Sequence, residues 1–239
     1  AVLTEAVTER TVLIVLDQIT SASALTLPVQ AVCDRFGQAV PILIDGAHAP
    51  GLIPEPVPAG AAFWTGNFHK WGFGARTVAA LTVAEPFRHK VRPLVASAGS
   101  VENFPLSFSY QGTQDVSAFL TLPAALQFPA EHLGLSFMEL KDRNVTVLRD
   151  GLRLAGLPER PDTDLPMATI PLGPSDSELE ARSLTESLRQ AGVEVAITWF
   201  AGQLWARVSV QAYVGHADFT RLAEALDSVR DQFTSLRLT

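Results

Sequence analysis

Residues 11–16, Thr-Val-Leu-Ile-Val-Leu, constrain the fold more than any other segment. A β-branched run without polar alternation fits a buried strand, and fully buried strands belong to parallel sheets covered by helices. Residues 28–36 follow with a helical pattern, with Pro28 tolerated in the first turn and Gly37 near the end. Residues 41–44 then read as a second buried strand, closed by Asp45-Gly46. Strand, helix and strand at this spacing predict a βαβ unit with a right-handed crossover.

Downstream, the Pro- and Gly-rich residues 51–60 must be a loop. Residues 61–65 and 77–83 predict strands, with Gly72, Gly74 and Arg76 in a turn between them. Residues 85–110 look irregular, and 115–127 predict an amphipathic helix. From about 130 the pattern changes: a long helix over 131–155, a strand at 167–172, a helix at 177–190, strands at 193–199 and 203–210, and a helix at 217–233. The expected organisation is an α/β domain over 1–129 and a smaller α+β domain over 130–239. The chain opens at Ala1 without Met and soon enters a strand, which reads as a cut through a domain.

Composition narrows the function classes. Hydrophobic residues make up 47% and charged residues 18%, which suits a packed globule. The net charge of −7 and the absence of a basic run argue against nucleic acid as a partner. No apolar run approaches the ~18 residues of a membrane span. The single cysteine, Cys33, excludes an intramolecular disulfide in this chain and is compatible with a reducing, cytoplasmic setting. Cys33 is expected to be a small core residue rather than a nucleophile.

Asp45 closes an apolar strand in Ile-Asp-Gly-Ala-His-Ala-Pro-Gly, and Lys70 follows in Asn67-Phe68-His69-Lys70-Trp71. In open α/β sheets ligands sit at the carboxyl ends of strands, where Asp45 falls. A buried carboxylate needs a positive partner, and a protonated pyridine nitrogen supplies one. A lysine flanked by His and Trp, in a partly buried pocket, suits imine chemistry. An aspartate and a lysine so arranged are what pyridoxal phosphate enzymes use, with the lysine as Schiff base partner of the cofactor aldehyde. His48 could donate to the phenolate oxygen or the Schiff base region, and Asn67 and His69 could donate to a phosphate. The plainer alternatives are that Asp45 caps its turn, that His48 bonds backbone, and that the Lys70 stem packs on Trp71.

Arg207 sits inside an apolar strand and needs an anion, either a substrate carboxylate held bidentately or a strand-face ion pair. Gly112-Thr113 precedes a predicted helix, where it can meet a phosphate or serve as a plain N-cap. The five histidines are scattered, so no metal site is expected. The chain contains no GxGxxG, P-loop or GxSxG pattern, which argues against a nucleotide-binding protein or a serine hydrolase.

Taken together, the segments Asp17-Gln18-Ile19-Thr20-Ser21, Asp45 to Gly51, Thr65 to Trp71, Gln111 to Asp115 and Arg207 to Tyr213 resemble the class V aminotransferase family of fold-type I pyridoxal phosphate enzymes, isopenicillin N epimerase-like members in particular. The resemblance covers nearly the whole chain and lacks the family's N-terminal part. It implies the C-terminal part of a large cofactor-binding domain followed by a small α+β domain. It further implies pyridoxal 5'-phosphate as cofactor, an amino acid as substrate and a homodimer with a shared active site. Carried over by position, Lys70 is the Schiff base lysine, Asp45 pairs with the pyridine nitrogen and His48 contacts the phenolic oxygen. Asn67 and His69 reach the phosphate, Thr20 and Ser21 line the cofactor, and Thr113 approaches the phosphate of a neighbouring subunit. Arg207 holds the substrate carboxylate. Gln18 and Val214 depart from the family's frequent His and Asn. A cysteine desulfurase is disfavoured, because that activity needs a nucleophilic cysteine on a loop after the lysine. Epimerase, aminotransferase and lyase chemistry remain open, as does a non-catalytic module that retains the fold.

Overall fold

In the computed structural model, which describes residues 2–101, 103–158 and 163–233, a one-turn helix α1 (Val2–Ala6) leads into strand β1 (Ile14–Asp17). Helix α2 (Val29–Phe36) connects β1 to β2 (Ile42–Asp45), and the two strands pair in parallel from Ile14↔Ile42 to Asp17↔Asp45. Strand β3 (Phe63–Asn67) continues the sheet in parallel, and β4 (Ala79–Val83) closes it antiparallel, in the order β1-β2-β3-β4. The expected βαβ unit is present. Its α2 lays Val29, Val32 and Cys33 on Ile42, Ile44 and Trp64 in one core, because positions i, i+3 and i+4 share a helix face.

Two expectations for this half need correction. Strand β1 starts at Ile14 and is not buried on both faces: Val12 is 82% exposed and Val15 62%. It stands at the sheet edge, with one face uncovered, and a uniformly apolar run carries no period to reveal that. The helix expected over 115–127 is broken into α3 (Ser117–Leu120) and α4 (Leu122–Phe128), because Pro123 has no N–H for the helical ladder and so sits in the first turn of a new helix. Among its described residues, the stretch 85–110 contains three 3₁₀ turns, Glu85–Lys90, Ala98–Val101 and Leu106–Phe108.

The long helix α5 (Phe137–Leu154) starts six residues later than expected. A π-turn over Pro129–Leu133 ends at Gly134, whose φ of 66° is left-handed. Ser136 and Glu139 then cap α5 reciprocally: the Ser136 Oγ accepts from the Glu139 N–H, and the Glu139 carboxylate accepts from the Ser136 N–H. Strand β5 (Met167–Pro174), helix α6 (Glu178–Gln190), strands β6 (Ala196–Phe200) and β7 (Gln203–Ser209), and helix α7 (His216–Val229) follow. The sheet is antiparallel in the order β5-β7-β6. Leu204, Ala206 and Val208 on β7 and Ala168, Ile170 and Leu172 on β5 pack with Leu148, Leu184, Phe219 and Leu226 of the three helices. Gly151 on α5 makes room for α7: a Cβ there would stand 2.2 Å from the Phe219 ring.

The chain divides into two compact units, Ala1–Ile19 with Thr26–Gly134, and Thr20–Leu25 with Leu135–Thr239. The short segment Thr20–Leu25 therefore packs with the second unit, although it begins three residues after the end of β1. Among the described residues, no helix is long and apolar enough to cross a membrane.

Candidate active site

In the first unit the candidate residues gather at the C-terminal ends of β2 and β3. Asp45 is the last residue of β2 and pairs in register with Thr65 of β3. Its Oδ1 accepts the Ala47 N–H at 2.9 Å, so the turn-capping use is real, and a carboxylate with about four lone-pair sites keeps others for a ligand. The turn then buries His48, whose Nδ1 accepts a hydrogen bond from the Trp71 Nε1–H at 3.2 Å. Gly51, at φ 87°, lets this turn close on the Lys70 loop, since a Cβ there would come within 2.6 Å of the Trp71 carbonyl oxygen.

Lys70 follows Asn67, the last residue of β3, and is partly buried, while His69 is exposed. The loop is closed by the Phe68 N–H to the Val78 carbonyl at 3.1 Å and by the Gly74 N–H to the Phe68 carbonyl at 2.9 Å. Phe73 and Thr77 in this loop have φ of 58° and 78°. For a β-branched residue such as Thr77 this backbone is strained, as is common near functional sites.

Behind the site lies a row that the sequence reading missed. Gln18 follows β1, Gly46 follows β2 and Gly66 lies on β3, on the face opposite Asp45. The Trp64 indole lies across this row: a Cβ on Gly46 would stand 2.3 Å from its Nε1, and one on Gly66 2.2 Å from its Cη2. Trp64 Nε1–H donates to Gln18 Oε1 at 3.1 Å, and Gln18 Nε2 donates to the Pro56 carbonyl at 2.9 Å. Gln18, read in the sequence as a departure from the family, is thus a buried link between strand ends. The available signal was a glutamine directly after a strand, with Trp-x-Gly on a later one.

In the second unit Arg207 projects from β7, where its Nη1 donates to the Ser21 carbonyl at 2.7 Å and to the Ser21 Oγ at 2.9 Å. Thr20 shapes the same loop through its Oγ1, which accepts the Leu25 N–H at 2.9 Å and bonds the Ser23 hydroxyl at 2.7 Å. Among the described residues Arg207 has no ion pair, and its Nε is buried without a hydrogen-bond partner. Burial pushes the Arg207 pKa down. The alternative of a strand-face ion pair is therefore not what the described residues show. Arg207 also lines an open cavity of about 460 Å³ with Val193, Val195, Ser209, Tyr213 and Phe219.

The structure thus brings Asp45, His48, Asn67, His69 and Lys70 to one end of one sheet, and Ser21 to Arg207. Thr113 is exposed on the loop before α3, and no hydrogen bond among the described residues ties it to the Asp45–Lys70 cluster. It is not the N-cap either. The Asp115 carboxylate accepts the Ser117 N–H at 2.8 Å and starts the helix four residues after Thr113. Among the described residues, no group of three His, Cys, Asp or Glu side chains is placed to hold a metal.

No family model matches the chain. It is 29% identical over 259 residues to a protein of Oryza sativa subsp. japonica named "Putative L-cysteine desulfhydrase 1", across 95% of this chain and 53% of that protein. It is 26% identical over 285 residues to the L-cysteine desulfhydrase-like protein lolT1 of Epichloe uncinata, across 92% of this chain and 62% of that one. The chain therefore spans about half the length of the rice relative. Among solved structures, the cysteine desulfurase CsdA of Escherichia coli superposes with a TM-score of 0.73 at 16% identity, covering 97% of this chain and 62% of CsdA. A serine palmitoyltransferase from S. paucimobilis with bound PLP superposes with a TM-score of 0.60 at 16% identity, covering 94% and 56%.

Proposed function

We infer that this chain, which has the fold of the fold-type I pyridoxal phosphate enzymes, belongs to a pyridoxal 5'-phosphate-dependent enzyme acting at Cα of an amino acid through Lys70. The observation that carries the reading is the union of the Asp45 turn and the Lys70 loop by the Trp71–His48 hydrogen bond, at the carboxyl ends of two parallel strands. The donor set suits the cofactor. Among the described residues the partly buried Asp45 has no ion-pair partner, and a protonated ring nitrogen is the cation it lacks. Of the chain's three lysines, Lys90 belongs to a 3₁₀ turn over the Phe87 ring and Lys141 faces Asp164 at 3.9 Å, which leaves Lys70 at the strand ends.

In this reading Asp45 keeps the ring nitrogen protonated, His48 donates to the phenolic oxygen, and Asn67 and His69 reach the phosphate. The bound cofactor supplies a sink for the electron pair left at Cα when its proton leaves. Lys70 would hold the cofactor through its amine, and that amine, when free, would be the base that takes the Cα proton. Arg207 holds the substrate carboxylate, Thr20 and Ser21 line the cofactor, and Thr113 serves a neighbouring subunit in a homodimer. Lyase chemistry on a cysteine-like amino acid is favoured over an isopenicillin N epimerase-like reaction, because the curated relatives carry L-cysteine desulfhydrase names. Elimination from Cβ needs a base and an electron sink but no cysteine nucleophile. The chain's one cysteine, Cys33, is buried in α2 ahead of Lys70.

Borohydride reduction of the protein loaded with pyridoxal 5'-phosphate, followed by peptide mapping, tests the reading. The phosphopyridoxyl mass is expected on Lys70, and Lys70→Ala is expected to lose it together with product formation over a panel of L- and D-amino acids. A label on another lysine, or none, refutes the proposal.

A further inference from the structure

Trp71 was expected as a flank for Lys70 or a surface for its stem, yet its indole N–H is directed at a ring nitrogen of His48. An indole nitrogen is a donor and never an acceptor, so His48 Nδ1 must carry a lone pair. In neutral imidazole the proton then resides on Nε2, and the imidazolium, with donors at both nitrogens, does not fit the contact. Both side chains are buried, Trp71 at 7% and His48 at 6% exposure, so water does not readily replace the indole as donor. The backbone supports the same placement, because Gly51 lets the His48 turn close against the Trp71 carbonyl. The two rings lie at 50° with centroids 6.5 Å apart, so they are not stacked and the hydrogen bond is the specific contact.

We propose that Trp71 is a positioning residue that fixes His48 as the Nε2–H tautomer, so that His48 presents a donor at Nε2. A donor at that nitrogen selects an oxygen or an anionic atom as its ligand and rejects another N–H. In terms of the function proposed above, on which this consequence rests, it is the tautomer that complements a phenolate oxygen. Trp71 would thereby act on the cofactor through His48 without touching it.

The test is made on the full-length protein labelled with ¹⁵N, with and without pyridoxal 5'-phosphate. The expected result is a two-bond nitrogen–nitrogen coupling between Trp71 Nε1 and His48 Nδ1, with the long-range proton–nitrogen pattern of an Nε2–H imidazole. In Trp71→Phe, which keeps a ring and removes the donor, His48 is expected to populate both tautomers. A wild-type His48 protonated at Nδ1, or an unchanged single Nε2–H tautomer in Trp71→Phe, overturns the proposal. If Trp71→Phe fails to fold, the wild-type coupling decides alone: its presence with the Nε2–H pattern supports the assignment and its absence ends it. Cofactor attachment at Lys70 is read separately, so its failure leaves the tautomer result standing and removes only the phenolate consequence.

Discussion

Gly46→Ala is expected to destabilise the first unit strongly. A Cβ at position 46 would stand 2.3 Å from Trp64 Nε1, 2.6 Å from Trp64 Cε2 and 2.9 Å from Gln18 Oε1, against an ordinary contact of 3.4–4 Å. The indole would have to retreat by roughly 1 Å, and a close-packed interior has no such slack. Trp64 is 3% exposed and lies against Gly66 as well, so it has no free direction. Overpacking of this kind costs about 1–3 kcal/mol. Pulling the indole N–H off Gln18 strands buried polar groups for about 1–3 kcal/mol more. A total of roughly 2–6 kcal/mol is a large part of a typical domain's ~5–15 kcal/mol. Urea unfolding followed by tryptophan fluorescence and by circular dichroism measures it, with Gly99→Ala as control. The nearest heavy atom to a Cβ there is 3.6 Å away, and a change within about 0.5 kcal/mol is expected. A Gly46→Ala protein within about 0.5 kcal/mol of the parent would refute the row of Gln18, Gly46 and Gly66 under Trp64.

Ser136→Ala should remove the reciprocal cap of α5 and lower the stability of the second unit by about 0.5–2 kcal/mol, read from the urea midpoint, whereas Ser136→Asp should retain most of it. Cys33 is buried in α2, and burial, followed by the nearby Asp34 carboxylate, pushes its thiol pKa up. The folded state therefore prefers the protonated thiol. Its contribution is fully present below the unfolded thiol's ~8.5 and is lost as pH rises through the higher folded value. Cys33, located by peptide mapping, should stay unmodified by a disulfide reagent at neutral pH in the native protein and react fully in urea. Rapid modification of the native protein would contradict the burial.

Much of the architecture was legible in the sequence because it rests on local rules. The apolar runs, the helical spacing of Val29, Val32 and Cys33, and the Asp45-Gly46 turn locate the βαβ unit without knowledge of the packing. The errors fell where several signals competed within a few residues. Between 115 and 137, Pro123, Pro129, Gly134 and the Ser136–Glu139 cap divide what periodicity alone reads as two helices. At β1, burial depends on neighbours that a uniformly apolar run does not encode.

The candidate site divides in the same way. Asp45, His48, Asn67, His69 and Lys70 stood out in the sequence because residue type and placement at strand ends limit the chemistry they can do, and parallel pairing of β2 and β3 brings those ends together. What the side chains do to one another was decided by tertiary structure alone. The Trp71 hydrogen bond to His48, the Trp64 indole over Gly46 and Gly66, and the Arg207 grip on Ser21 across 186 residues depend on strand register and on which face of a sheet is covered. Hydrogen bonds are directional and short-ranged, so a donor and acceptor distant in sequence become partners only after packing has brought them within about 3 Å.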